Sequence, residues 1–328
     1  MSAVETKPPM AASRRRFLVL PGPTARARRS VAPRRIPYVL LAPAALVMAA
    51  TIGYAIVNLV LISFQHFRAR ELILGLPTNW VGFDNYRYIL SQQEFKDTLI
   101  RTLAFTAVNV IATMTIGLGI ALLMRQVGRG LRLLLATSMV LAWAIPVVTA
   151  TQVFQWLFDR DFGVVNWLLT QLHIGNYQQH SWLSNPVSLL GIATLIVVWA
   201  AVPFVALTLY AGLSQIPEDL YEAARVDGAG SLSQLRSITL PLLAPIMLIL
   251  ALLSTIWDFR VFTQVFVLQK SGGISSDTNL IGIWAYHQSF GGSPNYGRGA
   301  ATSAVGVVIL LFITAFAVRR MVRMGGER

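Results

Sequence analysis

The stretch VSLLGIATLIVVWAAVPFVALTLYAGL, residues 187–213, carries no charged side chain. As an α-helix it reaches about 40 Å, more than the ~30 Å of hydrocarbon in a bilayer. In water such a helix would expose apolar surface all round, whereas in lipid its backbone N–H and C=O groups are all satisfied internally. The segment therefore predicts a membrane-spanning helix. Five further stretches at 37–64, 103–124, 133–158, 242–268 and 299–318 are uncharged or nearly so and long enough to cross. The expectation is an all-α integral membrane protein with six spanning helices.

Composition agrees. Of 328 residues 55% are hydrophobic and only 12% charged, with a mean hydropathy of +0.60. Soluble domains carry about 25% charged residues, so this chain lacks the polar coat of a globule in water. The formal net charge of +13 raises a nucleic-acid reading, but its distribution argues for topology. Nine of the 27 basic residues fall within residues 1–36, among them Arg14, Arg15, Arg16, Arg28, Arg29, Arg34 and Arg35. Arg319, Arg320, Arg323 and Arg328 follow the last apolar stretch. The short second loop holds Arg125, Arg129 and Arg132 with no acid. The first loop is balanced: Arg68, Arg70, Arg87 and Lys96 face Glu71, Asp84, Glu94 and Asp97. Basic residues beside spans mark the cytoplasmic side. Both termini and the second and fourth loops are read as cytoplasmic, with no nucleic acid among the partners. Residues 1–36 read as a disordered basic cytoplasmic tail and 37–328 as the transmembrane domain.

Residues 212–241 form a fourth loop that charge signalling does not explain. It holds Glu218, Asp219, Glu222 and Asp227 against Arg225 and Arg236. Ile216-Pro217-Glu218-Asp219 opens a helix, with proline early and acids where the helix dipole favours them. Leu220, Ala223 and Ala224 give that helix a small apolar face, and Gly228 and Gly230 stop it. Ser231-Leu232-Ser233-Gln234 reads as a capping box starting a second short helix, and Pro241 opens the next span. The loop is expected to be a helix–turn–helix beneath the membrane, whose alanines let another surface come close.

The spacing is specific: Glu222-Ala223-Ala224, three residues, Gly228, nine residues, Ile238-x-Leu240-Pro241. It resembles the cytoplasmic signature of ABC importer permeases at every defined position. Trp80-Val-Gly-Phe-Asp-Asn-Tyr86, Phe158-Asp-Arg-Asp-Phe-Gly-Val-Val-Asn166 and Tyr296-Gly-x-Gly-Ala-Ala-x-Ser303 are similar to stretches of the sugar and glycerol-phosphate (maltose-type) group. Gln269-Lys-Ser-Gly-Gly-Ile274 departs from that group's Thr-x-Gly-Gly-Pro, which puts the shape of the fifth loop in doubt. The resemblance implies a permease subunit in the bacterial plasma (inner) membrane, carrying a sugar, for instance a disaccharide such as trehalose. It also implies that Glu222, Ala223, Ala224 and Gly228, with Asp227 close by, dock on an ATPase. Glu222 would meet a basic group there. The rival reading of this loop is a solvated connection capping its own helices.

Other machinery is missing from the sequence. A P-loop needs Gly-Lys followed by Ser or Thr, and Lys7, Lys96 and Lys270, the only lysines, do not follow glycine. ATP and Mg are therefore expected on a partner ATPase, and this chain is expected to be no enzyme and to bind no cofactor itself. Cysteine is absent and the four histidines lack ligand spacing, so no metal is expected. The partners implied are a second permease subunit forming a heterodimer, two copies of a cytoplasmic ATPase subunit, an extracytoplasmic sugar-binding protein and membrane lipid. ATP closure of the ATPase pair would tilt the helices through the docked loops.

Asp258 and Arg260 are the only charges within the spans, and intramembrane charge is a functional candidate by default. Asp258 lies about 24 Å along its helix from residue 242, in the outer third of the bilayer. Two positions apart, the pair points to different faces. Anchoring and path lining both remain open, and the resemblance favours the path. Asn109, Gln152, Gln155, Trp257, Thr263 and Gln264 are further path candidates, with hydrogen bonding between helices as the alternative for each. Trp80, Trp156, Trp182 and Trp284 read as interface anchors, with sugar stacking as the alternative. Pro146, Pro203 and Pro245 are expected to kink their spans. An ion-coupled carrier would need a midplane acid or histidine relay, and a membrane enzyme would need clustered His, Asp, Glu or Cys; neither pattern occurs. Amino-acid, peptide or metal cargo remains the rival within the importer reading.

Overall fold

The computed structural model describes residues 36–272 and 276–326, so the expectation for the basic tail lies outside the described residues, save Ile36. The chain forms two compact units that meet at Gly53–Tyr54. The first contains α1 (Ile36–Met48) and a π-helical turn, Ala49–Gly53, where the Thr51 hydroxyl donates to the Val47 carbonyl at 2.8 Å. The second contains everything from α2 (Tyr54–Ser63) onward.

Within the second unit a short hairpin, β1 (Gln65–His66) paired antiparallel with β2 (Asn79–Trp80), brackets α3 (Ala69–Leu74). The sequence reading had no strand there. Then follow α4 (Asp84–Ser91), α5 (Gln93–Gln126), α6 (Arg129–Trp143), α7 (Val147–Leu157), α8 (Val164–Gln171) and α9 (Pro186–Leu213). The fourth loop supplies α10 (Glu218–Val226) and α11 (Ser231–Gln234). The chain ends in α12 (Leu240–Phe259), α13 (Thr263–Lys270), α14 (Ile281–Phe290) and α15 (Tyr296–Gly326).

Five stretches are long and apolar enough to cross a membrane: Tyr38–Ser63, Gln93–Gln126, Pro186–Leu213, Ser231–Lys270 and Tyr296–Met321. The pair α6 and α7, bent by 98°, makes a sixth where the two helices are counted as one span. The span expected at 133–158 is therefore broken. The cause is Pro146, which has no N–H to donate and disfavours helical geometry at the residue before it. α6 accordingly closes on the Ala144 N–H, which reaches the Val140 carbonyl at 3.0 Å, and Pro146 becomes the N-cap of α7. Pro203 and Pro245, expected to kink their spans, lie inside helices that continue through them.

α5 and α9 pack along each other as the central pair. The buried face of α5 repeats every three or four residues through Thr98, Thr102, Thr106, Asn109, Thr113, Gly117 and Ala121. Small residues allow close approach where lipid removes the usual hydrophobic drive between helices. At Gly117 an added Cβ would stand 2.7 Å from Val205 Cγ1. Two hydroxyls on this face bond back along their own helix: Thr102 Oγ1 to the Thr98 carbonyl at 2.7 Å and Thr106 Oγ1 to the Thr102 carbonyl at 2.8 Å. Thr102 Oγ1 also accepts the Ile281 N–H at 2.9 Å, joining α5 to the start of α14.

The stretches that carry the resemblance prove to be joints. Asn85 Nδ2 donates to the Ser63 and Gln65 carbonyls at 3.0 and 2.9 Å, and Tyr86 and Ser63 share a hydroxyl bond of 2.6 Å. Asn166 Nδ2 reaches the carbonyls of Asp159, Arg160 and His180, while Trp182 Nε1 donates to its Oδ1 at 2.6 Å. Gly297 and Gly299 leave room for the Gln65 carbonyl and the Ser289 hydroxyl respectively, either of which a Cβ would strike. The expected tryptophan belt is only partly realised. Trp80 and Trp156 are exposed, Trp182 is bonded within its loop, and Trp284 is buried against Phe95 at 5.2 Å, so it anchors nothing at an interface.

Gly117→Val is expected to cost about 1–3 kcal/mol through overpacking, seen as a lower thermal midpoint of the purified protein in detergent. Gly119→Val, at a glycine with nothing within 4 Å of the added Cβ, should leave that midpoint nearly unchanged.

Candidate coupling site in the fourth loop

α9 ends at Leu213, and after Ser214–Pro217 the chain turns into α10. Pro217 is the N-cap and Glu218 and Asp219 occupy the first turn, where carboxylates meet the positive end of the helix dipole. At the other end the Asp227 N–H reaches the Ala223 carbonyl at 3.0 Å and the Ala229 N–H the Ala224 carbonyl at 2.8 Å. This closure holds Gly228 at φ +80°, the left-handed region that glycine adopts without penalty.

The expected capping box at Ser231–Gln234 does not form. Extended Gly230 takes the N-cap position, and Ser231 sits inside the first turn with no side-chain cap. Gln234 Nε2 instead donates to the Ala229 carbonyl at 2.8 Å, tying the second helix to the turn before it. From there a π-helical turn, Leu235–Thr239, leads into α12. The second short helix is thus the foot of the fifth span, and Pro241 lies in the first turn of α12.

One face of α10 is fixed. Tyr221 is 5% exposed, and its hydroxyl lies 3.0 Å from Thr239 Oγ1. The Arg125 guanidinium, at the end of α5, sits 4.0 Å from the Tyr221 ring centroid and 2.6 Å from Glu218 Oε2. Arg132 donates to the Met124 and Val127 carbonyls, both at 2.9 Å, closing the end of α5. A cavity of about 630 Å³ opens beside these contacts, lined by Arg125, Glu218, Tyr221, Arg225, Ser231 and Leu235 among others.

The opposite face is open. Glu222, Ala223, Asp227 and Gly228 are exposed and Ala224 is half-buried. Leu220, expected beside the alanines, is exposed as well. Glu222 has an ion pair of 3.8 Å with Arg225, both side chains mostly in solvent, and such pairs contribute about 0–1 kcal/mol. Its carboxylate therefore remains available to a partner. The residues singled out in the sequence cluster on this free face. The fixed face was missed, because Arg125 and Glu218 stand 93 positions apart and no local pattern joins them.

The path candidates separate by burial. Asn109 is buried, its Nδ2 bonded to the Phe105 carbonyl at 2.7 Å and its Oδ1 unpartnered among the described residues. Asp258 is 3% exposed with Oδ2 likewise unpartnered. α12 ends one residue later, so Arg260 lies at its cap, exposed, and makes no ion pair with Asp258 among the described residues. The fifth span is interrupted at Arg260–Phe262, and Thr263 and Gln264, both half-buried, begin α13. Gln152 is exposed and Gln155 half-buried. Trp257 is 46% exposed, 5.5 Å from Phe204, which in turn stacks 6.3 Å from the exposed Trp143. Three helices thus bring aromatic rings into one row, of which only Trp257 was singled out in the sequence.

Residues 113–323 match the family described as binding-protein-dependent transport system inner membrane component. The chain is 42% identical over 283 residues to the diacetylchitobiose uptake system permease protein DasB of Streptomyces coelicolor, covering 86% of this chain and 85% of the relative. It is 35% identical over 237 residues to the trehalose/maltose transport system permease protein MalF of Thermococcus litoralis, covering 72% and 77%. A chain from the crystal structure of a bacterial ABC transporter importing the acidic polysaccharide alginate shares the fold, with a TM-score of 0.74 at 21% identity, covering 88% of this chain and 95% of the other. The chain belongs to the binding-protein-dependent transport system inner membrane component family, as a sugar-group ABC importer permease. It is a multi-pass inner-membrane subunit, with ATP hydrolysis on a separate subunit of a complex that includes a binding protein.

Gly228→Val forces a β-branched side chain into the left-handed region and is expected to cost about 1–2 kcal/mol locally. Hydrogen exchange of the amides at 227–229 should rise several-fold, while Gly228→Asn should show a smaller change.

Proposed function

We propose that this chain forms one half of the transmembrane path of an importer for a neutral disaccharide, energised through the free face of α10. The supporting observation is the division of that helix. Tyr221 is buried and Glu218 is paired with Arg125, while Glu222 and Ala223, and just beyond the helix Asp227 and Gly228, are exposed. A solvated connection capping its own helices would have no need of exposed alanines backed by a buried tyrosine. Glu222 meets a basic group of the ATPase, Ala223 and Ala224 allow close contact, and Gly228 makes the turn that keeps both helices in reach. The working assembly is a heterodimer with a second permease, two ATPase subunits and an extracytoplasmic sugar-binding protein. Closure of the ATPases on ATP moves the docked loops and opens the cavity outward to receive sugar.

A sugar ring offers C–H faces as well as hydroxyls, so a path for it needs aromatic surface with a few hydrogen-bonding groups. The row Trp143–Phe204–Trp257, with Gln152, Gln155, Thr263 and Gln264 at least partly exposed, meets that description. Asn109 and Asp258 are buried among helices, and we assign them to packing rather than to the sugar. The relatives are named as permeases for diacetylchitobiose and for trehalose/maltose, which favours a disaccharide. Trehalose, maltose and diacetylchitobiose are the candidates, separated by uptake of each radiolabelled sugar in a deletion strain complemented with this gene.

Glu222→Lys is expected to insert at wild-type abundance yet abolish both uptake and transport-coupled ATP hydrolysis; normal coupling in that variant would remove the docking role. Trp257→Ala should raise the half-saturating sugar concentration at least several-fold while ATP hydrolysis still responds to the loaded binding protein.

A further inference from the structure

Resting on the docking reading above, we infer that Arg125 is a positioning residue for coupling: it holds α10 to the cytoplasmic end of α5, so that a movement imposed on the docked face reaches the central helix pair. Three observations meet at this residue. Its guanidinium lies 2.6 Å from Glu218 Oε2 in the first turn of α10 and 4.0 Å from the Tyr221 ring one turn on, so it touches the helix at two successive levels. Tyr221 is itself buried and bonded to Thr239 at the foot of α12, so α10 is fastened on two sides. The α5 terminus that bears Arg125 is closed by Arg132, which donates to two of its last carbonyls, so the attachment point is stiff.

The geometry distinguishes this contact from an ordinary surface ion pair. An isolated exposed pair is loose because two long side chains must be ordered for one attraction. Arg125 is ordered against a ring that the fold has already buried, and a planar guanidinium can stack on the ring while its edge meets the carboxylate. Lysine can reproduce the charge without the plane. Within α10, Glu218 is the acid that meets α5 through Arg125; Glu222, one turn on, meets only Arg225, which it shares with Glu218. Without Arg125, α10 would stay tied to α12 through Tyr221 and Thr239 and to α9 through Ser214–Pro217, but would lose its direct hold on α5. Because α5 packs along α9, the helix that runs into α10, the strut gives the second member of the central pair its own direct hold on the docked helix.

The test uses the full importer reconstituted in proteoliposomes with its binding protein. Arg125→Ala and Glu218→Ala are each expected to lower uptake at least tenfold while complexes still assemble, with ATP hydrolysis losing most of its dependence on the loaded binding protein. Arg125→Lys should fall between wild type and Arg125→Ala. The exchange Arg125→Glu with Glu218→Arg should recover uptake at least threefold over either single change, which a merely destabilising role would not predict. Because the chain has no cysteine, spin labels on cysteines placed at the exposed α5 residue Gln126 and at Val226 can report the separation of α5 and α10. That distribution should broaden in Arg125→Ala and narrow again in the exchange. Uptake above half of wild type in Arg125→Ala, or an unchanged distance distribution, would overturn the inference. Glu222→Lys in the same assay separates the two claims. If it uncouples while Arg125→Ala does not, only the strut fails; if it stays coupled, the docking reading fails instead.

Discussion

Helices in a bilayer gain nothing from hiding apolar surface from each other, because the lipid is as apolar as they are. Everything in this chain rests on how it nevertheless holds α5 against α9. Small residues recur on the buried face of α5, and at Gly117 the approach is so close that no side chain fits before Val205. Hydroxyls at Thr102 and Thr106 satisfy themselves on the preceding turn, whereas Thr98 Oγ1, Asn109 Oδ1 and Thr113 Oγ1 on the same face have no partner among the described residues. Dispersion across a tight seam replaces the hydrophobic effect, and that makes the seam intolerant of added volume.

The same economy of space governs the loops. Asn85 and Asn166 each gather carbonyls from several segments, a task for an amide with two donors and an acceptor and no charge to desolvate. Gly297 and Gly299 admit the partner groups of α15 where a methyl would not fit. The second-loop arginines illustrate a double use. Charge asymmetry alone explains their presence on the cytoplasmic side, but Arg132 also closes α5 and Arg125 also grips α10.

Spans were legible in the sequence because the signal is local: a run without charge is visible whatever packs against it. Pro146 was visible too, but its consequence was read as a kink in one span, whereas the backbone resolves it as two helices at 98°. The free face of α10 was legible through its spacing, since Glu222, Ala223, Ala224 and Gly228 lie within one short segment. Its fixed face was not, because Arg125 and Tyr221 are brought together only by the tertiary fold. Ser231 failed as a cap for a subtler reason: Gly230, one residue earlier, already adopts the extended geometry the cap requires. Trp284 failed as an anchor because burial against Phe95 cannot be read from its position near a span's end.

The second short helix of the fourth loop runs on into the fifth span, and the whole of Ser231–Lys270 is interrupted only at Arg260–Phe262. Its lower part, up to Phe259, is a lever of about 43 Å at 1.5 Å per residue. For a lever of that length, a rotation of about 5° at the foot sweeps the far tip by about 4 Å, close to the thickness of a sugar ring. The unwound joint at Arg260–Phe262 lets α13 lag behind that sweep. A few degrees of motion inside the cell would thus suffice to change the bore on the far side of the membrane.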